Sequence, residues 1–340
     1  LHQARLSDFR KGFNIVSIIL PFKNEEKYLI ECFESILAQS FPNWELIAID
    51  DHSNDFGKSI VQNYAQQDSR IRYVLNPGQG IIPALQAGLS HASGNLIHRM
   101  DADDIMPSNK LEFLTEALTV DVDVTVGQVK YFSSGELGNG YKQYEKWLNG
   151  LVSNGDYFSE IYKECPIPSA CWMMRRKTLE SIDGFDDLQY PEDYHLAFKM
   201  YQHKLKVKGV QEVLHFWRDH EQRSSRVDPN YKDNRFLELK TSQFLRIDHR
   251  DTQKLVLWGA GKKGKEIAKI LESEKIDFDW WTNNERKVGK TIYKTTLQAI
   301  KIDTLNTRDQ IILAVAGKEQ LEIRNLISPW KDELRIFYFC

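Results

Sequence analysis

Residues Asn95 to Pro107 read NLIHRMDADDIMP, an apolar run that passes directly into three carboxylates, Asp101, Asp103 and Asp104. The run Asn95–Met100 predicts a short buried strand. If that strand is central and parallel, its carboxyl end opens onto the crevice where open α/β sheets take their ligands. Alternation along an extended chain puts Asp101 and Asp103 on one side and Asp104 on the other. Two carboxylates on one side suit a divalent cation shared with a phosphate group. A solvated acidic turn is the alternative, and the D-x-D alone does not choose between them.

The chain on the N-terminal side supports a parallel sheet. Ile15–Leu20 (IVSIIL) is a nearly continuous apolar run rich in β-branched residues, as a strand covered on both faces requires. It ends in Pro21-Phe22-Lys23-Asn24-Glu25-Glu26, and Leu29, Phe33, Ile36 and Leu37 then keep helical spacing until Phe41-Pro42-Asn43. Trp44–Ile49 (WELIAI) predicts a second strand, running into Asp50 and Asp51. A helix near Lys58–Gln67, a strand at Ile71–Leu75 and a helix at Pro83–His91 complete a βαβ series. The acid pairs therefore fall on the same edge of one sheet. Carboxylates there can accept hydrogen bonds from a base and a ribose while others hold a metal on a diphosphate. A nucleotide-diphosphate site follows more simply than two unrelated acidic turns.

Farther along, Val122–Val129 predicts a strand before a glycine-rich loop, Gly135–Gly140. The aromatic-rich stretch Tyr141–Tyr162 is read as helical; ordinary packing is the expected role of any one of its aromatics, and lining an acceptor cleft is the alternative. Tyr190-Pro191-Glu192-Asp193 opens a helix, where two acids favour the helix dipole. Leu205–Leu214 predicts a strand followed by Phe216-Trp217-Arg218-Asp219-His220.

Composition sets the outer limits. The chain has 340 residues, more than one core usually holds, with 41% apolar and 27% charged residues. A net charge of −3 without a basic block argues against nucleic acid. No apolar run approaches the ~18 residues of a membrane span, so a cytoplasmic protein is expected, at most peripheral at the inner face of a membrane. Cys32, Cys165, Cys171 and Cys340 lack the spacing of a zinc site or disulfide framework.

The stretches VSIILPFKNEEKYLIECFESILAQS, ELIAIDDHSND and GIIPALQAGLSHASGNLIHRMDADD, with the later Pro-Ser, Glu-Asp and Arg-x-His segments, resemble a family 2 glycosyltransferase from about Val16 to Arg226. The resemblance implies the GT-A fold and inverting, metal-dependent transfer from a nucleotide sugar, by family habit a UDP-sugar. The acceptor would be a hydroxyl of a glycan or lipid-linked molecule, in surface polysaccharide or glycoconjugate synthesis. It implies that Pro21 and Glu25 border the nucleotide, that Asp51 meets the base with Asp50 nearby, and that Asp101 faces the ribose or sugar. Asp103 and His220 would hold Mn²⁺ or Mg²⁺, and Asp193 would be the general base, with Ser169 and Glu192 on the acceptor side. Arg218 would face the diphosphate. Leu85 stands where many members carry arginine, so Arg99 or Lys23 would substitute at the phosphates. Asp104 would either cap the next helix or orient the donor sugar. A nucleotidyltransferase of the same fold is disfavoured, because Lys23-Asn24-Glu25-Glu26 holds no glycine.

The C-terminal segment restarts the α/β pattern after a helical linker at 229–253. Lys254–Trp258 predicts a strand, Gly259-Ala260-Gly261-Lys262-Lys263-Gly264 a G-x-G-x-x-G turn, and further strands lie near 277–282, 310–316 and 334–339. The expected architecture is thus a GT-A domain at 1–228 and a small Rossmann-like α/β domain at 254–340. An acid for a ribose is missing at Trp281-Thr282-Asn283-Asn284, where Asn283 is a weak replacement, although Lys262 and Lys263 would attract an anion. A module for homo-oligomeric assembly or for a small nucleotide is preferred. The rival is an NAD(P)-dependent oxidoreductase, or an inert scaffold, centred on Gly259–Gly264.

Overall fold

The computed structural model describes residues 14–223, 226, 235–330 and 333–340. The chain forms two compact units. The first is Leu1–Tyr157, Pro166–Leu188 and Glu192–Arg223; the second is Phe158–Cys165, Gln189–Pro191 and Ser224–Cys340. The boundary expected at 228–229 lies outside the described residues.

The first unit opens with β1 (Val16–Phe22), α1 (Glu26–Leu37), β2 (Trp44–Asp50), α2 (Gly57–Gln67), β3 (Ile71–Leu75), α3 (Ile81–His91) and β4 (Leu96–Arg99). All four strands run parallel, with β1 between β2 and β4. Every residue of β1 is buried, the outcome its nearly continuous apolar run predicts. On one face α1 covers the sheet with Leu29, Cys32, Phe33 and Ile36. At α3 the approach is closer still: a Cβ on Gly88 would lie 2.4 Å from Ile19 Cγ2 and 2.9 Å from Ile49 Cδ1, so only glycine fits there.

The unit continues with α4 (Lys110–Ala117), β5 (Val124–Ser133), α5 (Asn139–Asn154), β6 (Trp172–Arg175), α6 (Arg176–Ser181), α7 (Glu192–Gln202) and β7 (Val207–Asp219). The sheet order is β3-β2-β1-β4-β6-β5-β7, and β6 runs antiparallel to both neighbours. Strand β7 does not stop at Leu214 as its apolar pattern predicts. It stays paired with β5 to Ser133↔Asp219, helped by Tyr131 and Trp217 stacked at 5.0 Å. Tyr141, Tyr144 and Trp147 of α5 pack against the core of this unit.

In the second unit, α8 (Arg235–Ile247) precedes β8 (Leu255–Trp258), α9 (Lys262–Ser273), β9 (Asp279–Trp281), β10 (Thr291–Ile292), β11 (Thr295–Gln298), β12 (Gln310–Leu313), α10 (Gly317–Ile327) and β13 (Arg335–Tyr338). Its sheet order is β10-β11-β9-β8-β12-β13, with β8 parallel to β9 and β12. The helix expected in a linker, α8, instead packs on α9. Tyr162 belongs here as well: it stacks on Phe339 at 5.3 Å and donates to Asp248 Oδ2 at 2.7 Å, so it is core and not an acceptor-cleft lining. At the G-x-G-x-x-G turn a Cβ on Gly264 would stand 2.0 Å from Gly259 O, which lets α9 close on β8 only through glycine. Among the described residues no helix is long and apolar enough to cross a membrane.

Candidate active site

The parallel order brings the carboxyl ends of β1, β2 and β4 together, and the predicted acids follow them. Pro21 lies buried near the end of β1. Asp50 is 2% exposed and held on both oxygens, by Ser53 N at 2.8 Å and Tyr73 Oη at 2.9 Å. Asp51 Oδ1 accepts from Asn76 Nδ2 at 2.7 Å and Gly80 N at 2.8 Å, while Oδ2 pairs with Lys23 at 3.1 Å. Asp50 is thus a brace for the loop after β2, and only the Lys23 side of Asp51 faces outward.

Asp101 and Asp103 follow β4 in a turn, since the strand itself ends at Arg99. Asp101 accepts from Arg99 Nε at 3.0 Å and from Ser169 Oγ at 3.0 Å. The other end of the same guanidinium donates to Glu192 Oε1 at 2.9 Å. Two expectations change accordingly. Arg99 is clamped between two carboxylates rather than open to a phosphate, and Glu192, 1% exposed, is its buried counterion rather than an acceptor contact. The pair has a second effect, because it fixes the first turn of α7 beside the acid loop and so brings Asp193 to the same place. Burial first, then the charge of Glu192, push the Asp193 carboxyl up to about 7, against the pull of Arg99.

Asp103 Oδ2 meets His220 Nε2 at 2.9 Å, with 14% and 11% of the two side chains exposed. Arg218 lies between the rings of Tyr28 and Phe132, donates through Nε to Asp103 O at 2.7 Å, and pairs with Glu31 at 2.5 Å. Glu25 is the N-cap residue of α1, but its side chain makes no capping hydrogen bond. Burial, then Asp103, Asp55 and Asp101, push its carboxyl up to about 8. Negative charge is crowded at this edge. A carboxylate and an imidazole are suitable donors for a Mn²⁺-like ion. Among the described residues no three His, Cys, Asp or Glu side chains form a complete cage. The donor set fits an ion completed by diphosphate oxygens, the usual arrangement for Mg²⁺ with one or two carboxylates.

Asp104 lies away from the acids that line the crevice. It is 0% exposed and accepts from Arg218 N at 2.7 Å and His215 Nε2 at 2.8 Å, so it neither meets a sugar nor caps α4, whose N-cap is Asn109. His215 and its partner Lys110 are residues that the sequence reading missed. Both are fully buried. Burial, then Lys110, hold His215 well below the usual imidazole range, which favours a neutral ring.

The Glycosyl transferase family 2 profile matches residues 17–183. The glycosyltransferase GlyA of Streptococcus pneumoniae serotype 4 (strain ATCC BAA-334 / TIGR4) is 28% identical over 221 residues, which cover 62% of this chain and only 32% of GlyA. This chain therefore spans about a third of that relative's length. S. aureus TarS 1-349 in complex with UDP-GlcNAc aligns over 75% of this chain and 71% of its own, with a TM-score of 0.54 and 19% identity. The mannosyltransferase PcManGT of Pyrobaculum calidifontis, in complex with GDP-Man and Mn2+, aligns over 69% and 65%, with a TM-score of 0.52 and 19% identity. At such identities the likeness is one of fold. With its acids gathered at one edge of the matched sheet, the first unit carries, over residues 17–183, a family 2 glycosyltransferase domain, and a Rossmann-like unit follows it in the chain.

Proposed function

We propose that the chain is a GT-A enzyme that moves a sugar from a nucleotide-sugar donor, a UDP-sugar by preference, to a hydroxyl of a glycan or lipid-linked acceptor. The single observation that carries this reading is the Arg99 bridge, 3.0 Å to Asp101 and 2.9 Å to Glu192, which joins the donor-side acids to the helix of Asp193. Binding of UDP-GlcNAc by TarS and of GDP-Man with Mn²⁺ by PcManGT supports the donor class.

Asp51 accepts from the base once the exposed Lys23 swings away, and Pro21 and Glu25 border the nucleotide. Asp101, oriented by Arg99 and Ser169, accepts from hydroxyls of the ribose or sugar. Asp103 and His220 would hold Mn²⁺ or Mg²⁺, which when bound neutralises charge growing on the diphosphate. Arg218, by exchanging Glu31 for a phosphate oxygen, adds a cation on the same side. Asp193 takes the proton of the acceptor hydroxyl as that oxygen attacks the anomeric carbon opposite the leaving group, and one displacement inverts the centre. We assign the reaction to surface polysaccharide or glycoconjugate synthesis in the cytoplasm or at the inner face of the membrane. The second unit is assigned to homo-oligomeric assembly or to a small nucleotide.

Release of nucleoside diphosphate from a panel of UDP- and GDP-sugars with Mn²⁺ tests the reading. Turnover of at least one donor is expected, and Asp103→Asn should abolish it without altering the circular dichroism spectrum. Unchanged rates in that variant would reject the ion site.

A further inference from the structure

Behind the acid loop lies a set of polar groups that the proposed chemistry does not use. Asp104, Lys110 and His215 are each 0% exposed. Lys110, the first residue of α4, donates through Nζ to Ala170 O at 2.6 Å and to His215 Nδ1 at 3.0 Å. An ammonium offers no lone pair, so Nδ1 is the bare nitrogen of His215 and the ring proton sits on Nε2. From there the chain of bonds continues outward: Nε2–H to Asp104 Oδ2 at 2.8 Å, and Arg218 N to Asp104 Oδ1 at 2.7 Å. Arg218 Nε closes it on Asp103 O at 2.7 Å, and Asp103 faces His220 at 2.9 Å. In the other direction Ala170 adjoins Ser169, whose Oγ donates to Asp101 Oδ2 at 3.0 Å.

Lys110 Nζ thus fastens the segment of Ser169 to β7, which carries Arg218 and leads to His220, and through His215 and Asp104 the same chain of bonds reaches the loop of Asp101 and Asp103. Apolar side chains at positions 110 and 215 would fill the space without the desolvation cost of a buried ammonium, so stability alone does not account for the arrangement. Directional bonds set distances that apolar contacts leave loose.

Resting on the glycosyltransferase reading above, we propose that Lys110 and His215 are positioning residues of the donor site. Through the Nε2–H tautomer of His215 they hold Asp103, Ser169 and His220 at the spacing that a nucleoside diphosphate with a divalent cation requires.

The test uses the full chain and UDP, with GDP as a second arm, each titrated calorimetrically in Mn²⁺. Lys110→Met and His215→Leu should weaken binding tenfold or more. His215→Gln should recover most of that loss, because its Oε1 accepts from Lys110 and its Nε2 donates to Asp104. Nitrogen-15 shifts of His215 in the free protein should show a protonated Nε2 and a bare Nδ1. Binding within twofold of wild type in folded Lys110→Met, equal losses in His215→Gln and His215→Leu, or a protonated Nδ1 would each overturn the proposal. Should Lys110→Met and His215→Leu fail to fold, His215→Gln decides: binding kept within threefold supports the relay, and a tenfold loss with the fold intact refutes it. A wild-type chain that binds neither nucleotide would refute the functional reading itself, a result distinct from wild-type binding that the variants do not alter.

Discussion

Asp193, the base in the proposed reaction, can take a proton only when ionised, and its carboxyl is pushed up to about 7 by burial and by Glu192. Its active form is therefore lost as pH falls through that value. We expect kcat/KM to drop about tenfold per unit below pH about 7, whereas an unperturbed aspartate, near 3.9, would leave the rate flat down to about pH 5. Asp193→Asn should cost on the order of 10²–10⁴ in rate and remove the acid limb. A pH profile of both proteins checks this, and a limb centred near 4 would contradict it. The acids at this site were legible because charge at the end of an apolar strand, or at a helix start, stands out against its surroundings. Lys110 and His215 were not. A lysine opening a helix reads as a surface residue, and the partners of His215 lie 105 and 111 positions away, beyond any local pattern. Asp104 was misread for the same reason, since its partners come from β7.

At the level of elements, two contacts decide whether the acids stay together. The packing of α3 on β1 depends on the missing side chain of Gly88, and Gly88→Ala forces a Cβ to within 2.4 Å of Ile19. Overpacking of this kind typically costs about 1–3 kcal/mol, to be read from a urea melt; an unchanged midpoint would show that α3 can shift freely. The Arg99–Glu192 pair is the second contact, with side chains 10% and 1% exposed. Arg99→Leu leaves the Glu192 charge buried without that partner and should cost about 3–5 kcal/mol. Adding Glu192→Leu should restore most of the stability but not the activity, because α7 is then no longer tied to Asp101. Strands β1 to β4 were readable from short stretches rich in apolar and β-branched residues, most nearly continuous in β1, and from the helices between them. Antiparallel β6 was not readable as such: four residues, Trp172–Arg175, carry no mark of direction, and their partners β4 and β5 are distant in sequence.

For the whole molecule the question is which unit takes the nucleotide. The G-x-G-x-x-G turn of the second unit was readable as a strand-to-helix crossing, and its geometry accounts for Gly264 through packing alone. At the strand tip where a ribose-binding acid would stand, Asn283 Oδ1 instead accepts from Trp258 Nε1 at 2.6 Å. Added NAD should therefore give no binding heat with the full chain, and a saturable isotherm would revive the oxidoreductase reading. Far less legible was the membership of Phe158–Cys165 in this unit, since the segment lies between stretches of the first and joins the second through Tyr162, Phe244 and Phe339. In the proposed reaction the strand ends of the first unit receive the sugar nucleotide. Photolabelling of the full chain with azido-uracil and azido-guanine nucleotide sugars in Mn²⁺, followed by sequencing of the labelled peptides, locates that site. Label is expected near Pro21–Glu25, Asp51 or Asn76–Gly80, displaced by unlabelled nucleoside diphosphate; label confined to Gly259–Gly264 would place the nucleotide in the second unit and refute this site.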